Sequence, residues 1–142
     1  MPTRTSHARW QGTLHKGNGN VELGSGAFRG PYSFASRFED EAGTNPEELI
    51  GAAHAGCFAQ YLALLLEKEG FDPASIDADA HVTIEQVDGK PTITSSKLTV
   101  SAKVPGLDRT SFERHAQAAK TDCPVAKALT GTDVTLEAEL VS

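Results

Sequence analysis

Thiols are scarce in this sequence: 142 residues hold two cysteines, Cys57 and Cys123, far apart and in no C-x-x-C arrangement. That excludes a disulfide-stapled scaffold and a cysteine-rich zinc module. Net positive charge is lacking too. The formal charge is −6, and the 13 basic residues are scattered without a stripe or an aromatic platform, which argues against a nucleic-acid partner. The most apolar run, Leu62 to Leu66, is far short of a bilayer span, and the polar start Met1 to Trp10 has no secretory apolar core. The expectation is a cytoplasmic protein with no membrane partner. Repeats, low-complexity tracts and long linkers are also missing, so residues 1–142 read as a single domain. The glycines between Gly17 and Gly30 do not lead from a strand into a helix with phosphate-loop spacing, so nucleotide binding has no support.

What is present is a globular balance, 39% hydrophobic and 23% charged, in a chain long enough to fold without staples. Residues 8–38 read as extended chain broken by glycine turns, with Trp10, Leu14, Val21, Leu23 and Phe28 as apolar markers. Alternation over Tyr32 to Phe38 puts Tyr32, Phe34 and Phe38 on one face of a strand and Ala35 and Arg37 on the other. At Asn45-Pro-Glu-Glu48 the period changes. Asn45 is the expected N-cap, Pro46 the first helical residue, and Glu48 closes a capping box. From Leu49 to Leu66 the only polar interruptions are His54 and Gln60, which predicts a central helix buried on all sides, ended by Lys68 and Gly70.

Alternation returns over Ala78–Val87 and Thr92–Val104 around an Asp88-Gly89 turn. Thr110 to Glu113 offers a second capping box for a helix to about Lys120. A short helix follows Cys123-Pro124, and Val134, Leu136, Ala138 and Leu140 close the chain as a strand. The class is α+β.

Each chemically capable residue has a plain structural role as an alternative. Cys57, mid-helix among apolar neighbours, is a candidate core filler with a raised pKa, or a nucleophile if a cation reaches it. Cys123 lies at a helix N-terminus, where free amides favour a thiolate; local physics ranks it the more acidic thiol, or else a simple cap. His54 and Cys57 stand at i,i+3, but two ligands are too few for a metal site, and none is expected. Glu47 and Glu48 suit the positive end of the helix, and Arg37 is a solvent-facing charge on local grounds.

The stretch Gly43-Thr-Asn-Pro-Glu-Glu-Leu-Ile-Gly-Ala-Ala-His-Ala-Gly-Cys-Phe58 closely resembles the signature of the OsmC family, the osmotically inducible and organic hydroperoxide resistance proteins. Ser36-Arg-Phe-Glu39 ahead of it and Asp122-Cys-Pro-Val125 behind it stand where that family has its other motifs. The resemblance implies antiparallel sheets packed around a long buried central helix, in an intertwined homodimer. It further implies a thiol peroxidase acting on organic hydroperoxides, with Cys57 as peroxidatic thiol, Cys123 as resolving thiol, and Arg37 and Glu47 activating the thiolate. The placement of Arg37 matches the osmotically inducible branch. No cofactor is implied beyond an external dithiol reductant, which the resemblance suggests to be a lipoylated protein. A redox sensor or disulfide oxidoreductase, and a non-catalytic binding module, are the alternatives on the same fold.

The chemistry accounts for these residue types. A thiolate attacks the O–O bond, a guanidinium stabilises the thiolate and the leaving alkoxide, and a carboxylate holds the guanidinium fork in one orientation. Glu47 and Cys57 are ten residues apart on one expected helix, about 15 Å along its axis. Either that helix kinks near Gly51 or Gly56, or a second chain supplies Arg37 and Glu47; the second is the expectation.

Overall fold

The computed structural model describes residues 1–141, which divide into two compact units, the first Met1–Leu49 and the second from Ile50 onward. In the first unit the glycine-punctuated segment folds as a meander of β1 (Ser6–Gln11), β2 (Asn18–Leu23) and β3 (Arg29–Tyr32), antiparallel in that order. Register aligns Trp10, Gly19 and Tyr32 across the three strands. A Cβ on Gly19 would meet the Trp10 and Tyr32 rings at 2.8 and 2.6 Å. The bare glycine therefore lets those rings close to 5.2 Å between centroids over the backbone.

The strand expected through Phe38 stops at Tyr32. Ser33 is extended (φ −151°, ψ 175°) and caps a short helix, α1 (Phe34–Phe38), through a reciprocal box with Ser36. Arg37 is therefore helical. The aromatic spacing fits both periods, because Phe34 and Phe38 also stand at i,i+4, and their rings lie 5.0 Å apart.

The long helix α2 (Pro46–Lys68) begins where the sequence indicated, with the Glu48 N–H donating to Asn45 Oδ1 at 2.7 Å. The reciprocal half of the expected box is replaced: the Glu48 carboxylate accepts from Thr44 Oγ1 at 2.8 Å. At the far end Gly70 takes φ +85°, its N–H donates to Glu67 O, and the Phe71 N–H donates to Leu66 O, a Schellman close. By length and composition α2 would suffice to cross a membrane, but its stripe of Phe58, Leu62 and Leu66 is completely buried in the core of the second unit. Burial on all sides, however, is not observed. Ala52, Ala53, Gly56, Gln60 and Leu64 are exposed, because one three-stranded sheet and one further helix cover only one side of α2.

The second unit's sheet is β4 (Ser75–Val87), β5 (Lys90–Lys103) and β6 (Asp133–Val141), with β5 central. Asp88 and Gly89, both at positive φ, make the β4–β5 turn. One pairing departs from the antiparallel expectation: β6 runs parallel to β5, since α3 (Arg109–Asp122) and α4 (Pro124–Ala128) carry the chain back between them. Leu98, Val100 and Ala102 of β5 meet the α2 stripe and Phe112, Ala116 and Ala119 of α3 in one cluster. The cap of α3 is Asp108, which accepts from the Ser111 N–H, and not Thr110. The preceding turn presents a carboxylate two residues earlier, and the helix runs on to Asp122.

Candidate functional site

Sequence-indicated residues assemble as two pairs, one in each unit. In the first unit the Arg37 guanidinium donates from Nε to Glu47 Oε1 at 3.0 Å and from Nη2 to Glu47 Oε2 at 3.1 Å, a bidentate fork. Glu47 is 6% exposed, whereas the Arg37 side chain remains one-third open, so the cation keeps donors to offer a ligand. The fork is held by backbone contacts that sequence reading missed. Ser36 Oγ donates to Thr44 O at 2.8 Å, Asn45 Nδ2 donates to Ser36 O at 3.1 Å, and the Thr44 N–H donates to Pro31 O at 2.8 Å. These bonds clamp α1 to the start of α2. The Ser33-x-x-Ser36 spacing was the available signal for them.

Beside Arg37, Trp10, Leu14, Tyr32, Phe34 and Phe38 line a groove of about 390 Å³. Phe34 and Phe38 of α1 belong to this lining. Phe58 is instead a fully buried core residue, and Ala53 and Leu64 face outward.

The second pair is Cys57 and Cys123, both free thiols. Cys57, near the middle of α2, is half-buried, and Cys123 is fully buried. Cys123 caps α4 as its position suggested: Sγ accepts from the Ala126 N–H at 3.3 Å, and Pro124 opens the helix. Even so, the helix terminus alone does not set its acidity. Burial pushes its pKa above the usual 9.0, against the lowering from the Ala126 amide, and the nearby Cys57 thiol adds to the rise. Desolvation outweighs the helix end, and the two sulfurs are neighbours.

His54, one turn before Cys57, is fully buried and shares a 2.7 Å hydrogen bond between Nδ1 and Ser96 Oγ of β5. Its Nε2 is buried without a partner, and burial lowers its pKa. No group of three or more His, Cys, Asp or Glu suited to a metal ion occurs among the described residues. Helix α2 runs unbroken from Pro46 to Lys68, with Glu47 in its first turn and Cys57 eleven residues after Pro46.

The family model for OsmC-like protein matches residues 38–138. Peroxiredoxin OsmC of Escherichia coli K12 is 44% identical over 140 residues, covering 98% of this chain and 97% of that protein. Organic hydroperoxide resistance protein-like 1 of Staphylococcus saprophyticus is 32% identical over 117 residues, 80% of this chain and 81% of its own. Among solved structures, the organic hydroperoxide resistance protein OhrB of Bacillus subtilis superposes with a TM-score of 0.65 at 25% identity, covering 94% of this chain and 97% of that one. A Legionella pneumophila organic hydroperoxide resistance protein OsmC shares the fold at a TM-score of 0.72 and 23% identity, over 96% and 97% of the two chains. With the two motif cysteines adjacent and the arginine–glutamate fork formed, the chain belongs to the OsmC-like protein family.

Proposed function

We propose that this protein is a peroxide-detoxifying enzyme, a two-cysteine thiol peroxidase that reduces organic hydroperoxides to alcohols. The observation that carries the reading is that a half-open Cys57 lies near a buried Cys123. The names of its relatives, peroxiredoxin and organic hydroperoxide resistance protein, support the same reading.

In this mechanism Cys57 is the attacking thiol, because it is half-open to a substrate whereas Cys123 is fully buried and burial raises its pKa. The Cys57 thiolate attacks the terminal peroxide oxygen, the O–O bond breaks, and the alkoxide leaves with a proton as alcohol. Cys57 is then a sulfenic acid. Arg37, oriented by Glu47, donates to the peroxide and stabilises the departing alkoxide. The Cys123 thiol attacks the sulfenic sulfur, water leaves, and a disulfide remains for an external dithiol to reduce. No metal or prosthetic group takes part. A lipoylated protein is the proposed donor, and the cytoplasm the proposed location.

The exposed apolar side of α2 supports a homodimer, in which a second copy covers Ala53, Gly56 and Leu64 and supplies the Arg37–Glu47 fork to the partner's Cys57. Sedimentation of wild type and Leu64→Glu tests the first point: wild type sediments as a dimer and the variant as a monomer, and a monomeric wild type refutes it.

Thiol counting by mass spectrometry after one equivalent of cumene hydroperoxide tests the chemistry. Wild type loses about two daltons, and Cys123→Ser gains about sixteen at Cys57. Two free thiols persisting in the oxidised wild type would sink the two-cysteine reading.

A further inference from the structure

The groove beside Arg37 differs in charge between its wall and its lip. Its wall is aromatic and aliphatic, and Arg37 is its one cation. The positive charge of Arg37 is already matched by the two Glu47 bonds, so the guanidinium offers hydrogen-bond donors without a net positive field. At the lip stands one carboxylate, that of Glu41. Glu39, Asp40 and Glu41 follow α1 in succession, all exposed, and Glu41 is drawn to the groove by the hydroxyl of Ser33, which donates to Oε2 at 3.5 Å. Ser33 itself lines the groove. Tyr32 also lines this wall, and the ring of His15 lies 4.4 Å from that of Phe34.

From this arrangement we infer that the groove seats the tail of uncharged, ring-bearing hydroperoxides and discriminates against substrates whose tail carries a carboxylate, with Glu41 as a specificity-determining residue. The inference rests on the peroxidase reading and deepens it. The Trp10, Tyr32, Phe34 and Phe38 rings present faces and edges against which an aryl tail stacks. A volume of about 390 Å³ falls within the range of small-molecule sites, roughly 300–1,000 Å³. An anionic tail would meet Glu41 across the lip with no unmatched cation in the groove to offset the repulsion.

The test uses a matched pair, cumene hydroperoxide and its para-carboxylated analogue, at pH 8, where an ordinary histidine is uncharged. Wild type turns over the uncharged substrate with the higher kcat/KM. Glu41→Gln raises kcat/KM for the carboxylated substrate relative to that for the uncharged one by about two- to fivefold, the worth of one exposed charge pair. Added salt narrows the gap in wild type more than in the variant. Trp10, the sole tryptophan of the sequence, gives a readout independent of chemistry. Its fluorescence responds to cumyl alcohol at lower concentration than to the carboxylated alcohol in wild type, and the two converge in Glu41→Gln. Equal use of both hydroperoxides by wild type, or a gap that Glu41→Gln leaves intact, overturns the inference while the peroxidase reading stands. Turnover of neither, with normal Trp10 binding, overturns the peroxidase reading and leaves the groove's selectivity to the fluorescence result.

Discussion

Arg37 shows how much of this protein's chemistry rests on shape as well as charge. A lysine would keep the positive charge, but it cannot span both Glu47 oxygens and still offer donors outward. Arg37→Lys should therefore lower kcat/KM for cumene hydroperoxide by on the order of 100-fold, the usual loss when a donor to a developing anion is removed. Stopped-flow consumption of the peroxide checks this, and activity within about twofold of wild type would mean the fork is structural. The cysteines yield a second expectation. Cys57 is half-open, whereas Cys123 is fully buried with a raised pKa, so iodoacetamide at pH 8 should label Cys57 first. Peptide mapping of partly alkylated protein reads the order; Cys123 labelled first would reverse the assigned roles.

At the scale of elements, the clamp between α1 and α2 depends on Gly43. Its φ of +131° is strained for any L side chain, and a Cβ there would lie 3.0 Å from Pro31 O and 3.2 Å from Ser36 Cβ. Gly43→Ala is expected to destabilise the protein by about 1–3 kcal/mol. It should also lower peroxidase activity, because Ser36 and Thr44 hold the helix that carries Arg37. Urea unfolding alongside kinetics checks both, and unchanged values in both would remove the clamp from the account. This part of the molecule was the least legible in the sequence. The Tyr32–Phe38 alternation fits a strand as well as it fits one turn of helix, and only the Ser33–Ser36 box decides between them. The start of α2, the β4–β5 turn and the closing strand were legible, because caps, a positive-φ dipeptide and long periodic runs are local signals. The Cys123 pKa was not. It depends on burial under residues distant in sequence, and that burial reversed what the helix terminus alone suggested.

For the molecule as a whole, acid sensitivity follows from His54. His54 is wholly sealed in the core, its ring bonded to Ser96 and its Nε2 without a partner. Burial alone lowers its pKa from the ordinary 6.5, with no carboxylate contributing to offset the cost of charging it. The sign follows from proton counting. Below pH 6.5 the unfolded chain binds a proton at His54 that the folded protein refuses, so acid favours unfolding. The stability this neutral imidazole confers is whole above pH 6.5 and is lost as pH falls from there through the folded-state value. In that window the slope reaches about 1.4 kcal/mol per pH unit for one proton. Urea unfolding of wild type between pH 8 and pH 5 should show that loss. His54→Gln, less stable at pH 8 because its amide fits the site poorly, should lose less on acidification than wild type does. If His54→Gln does not fold, the imidazole proton resonances of the wild type give the answer directly: His54 takes up its proton at lower pH than a free imidazole, and a His54 that protonates as a free imidazole does would show that the buried ring imposes no acid penalty on the fold.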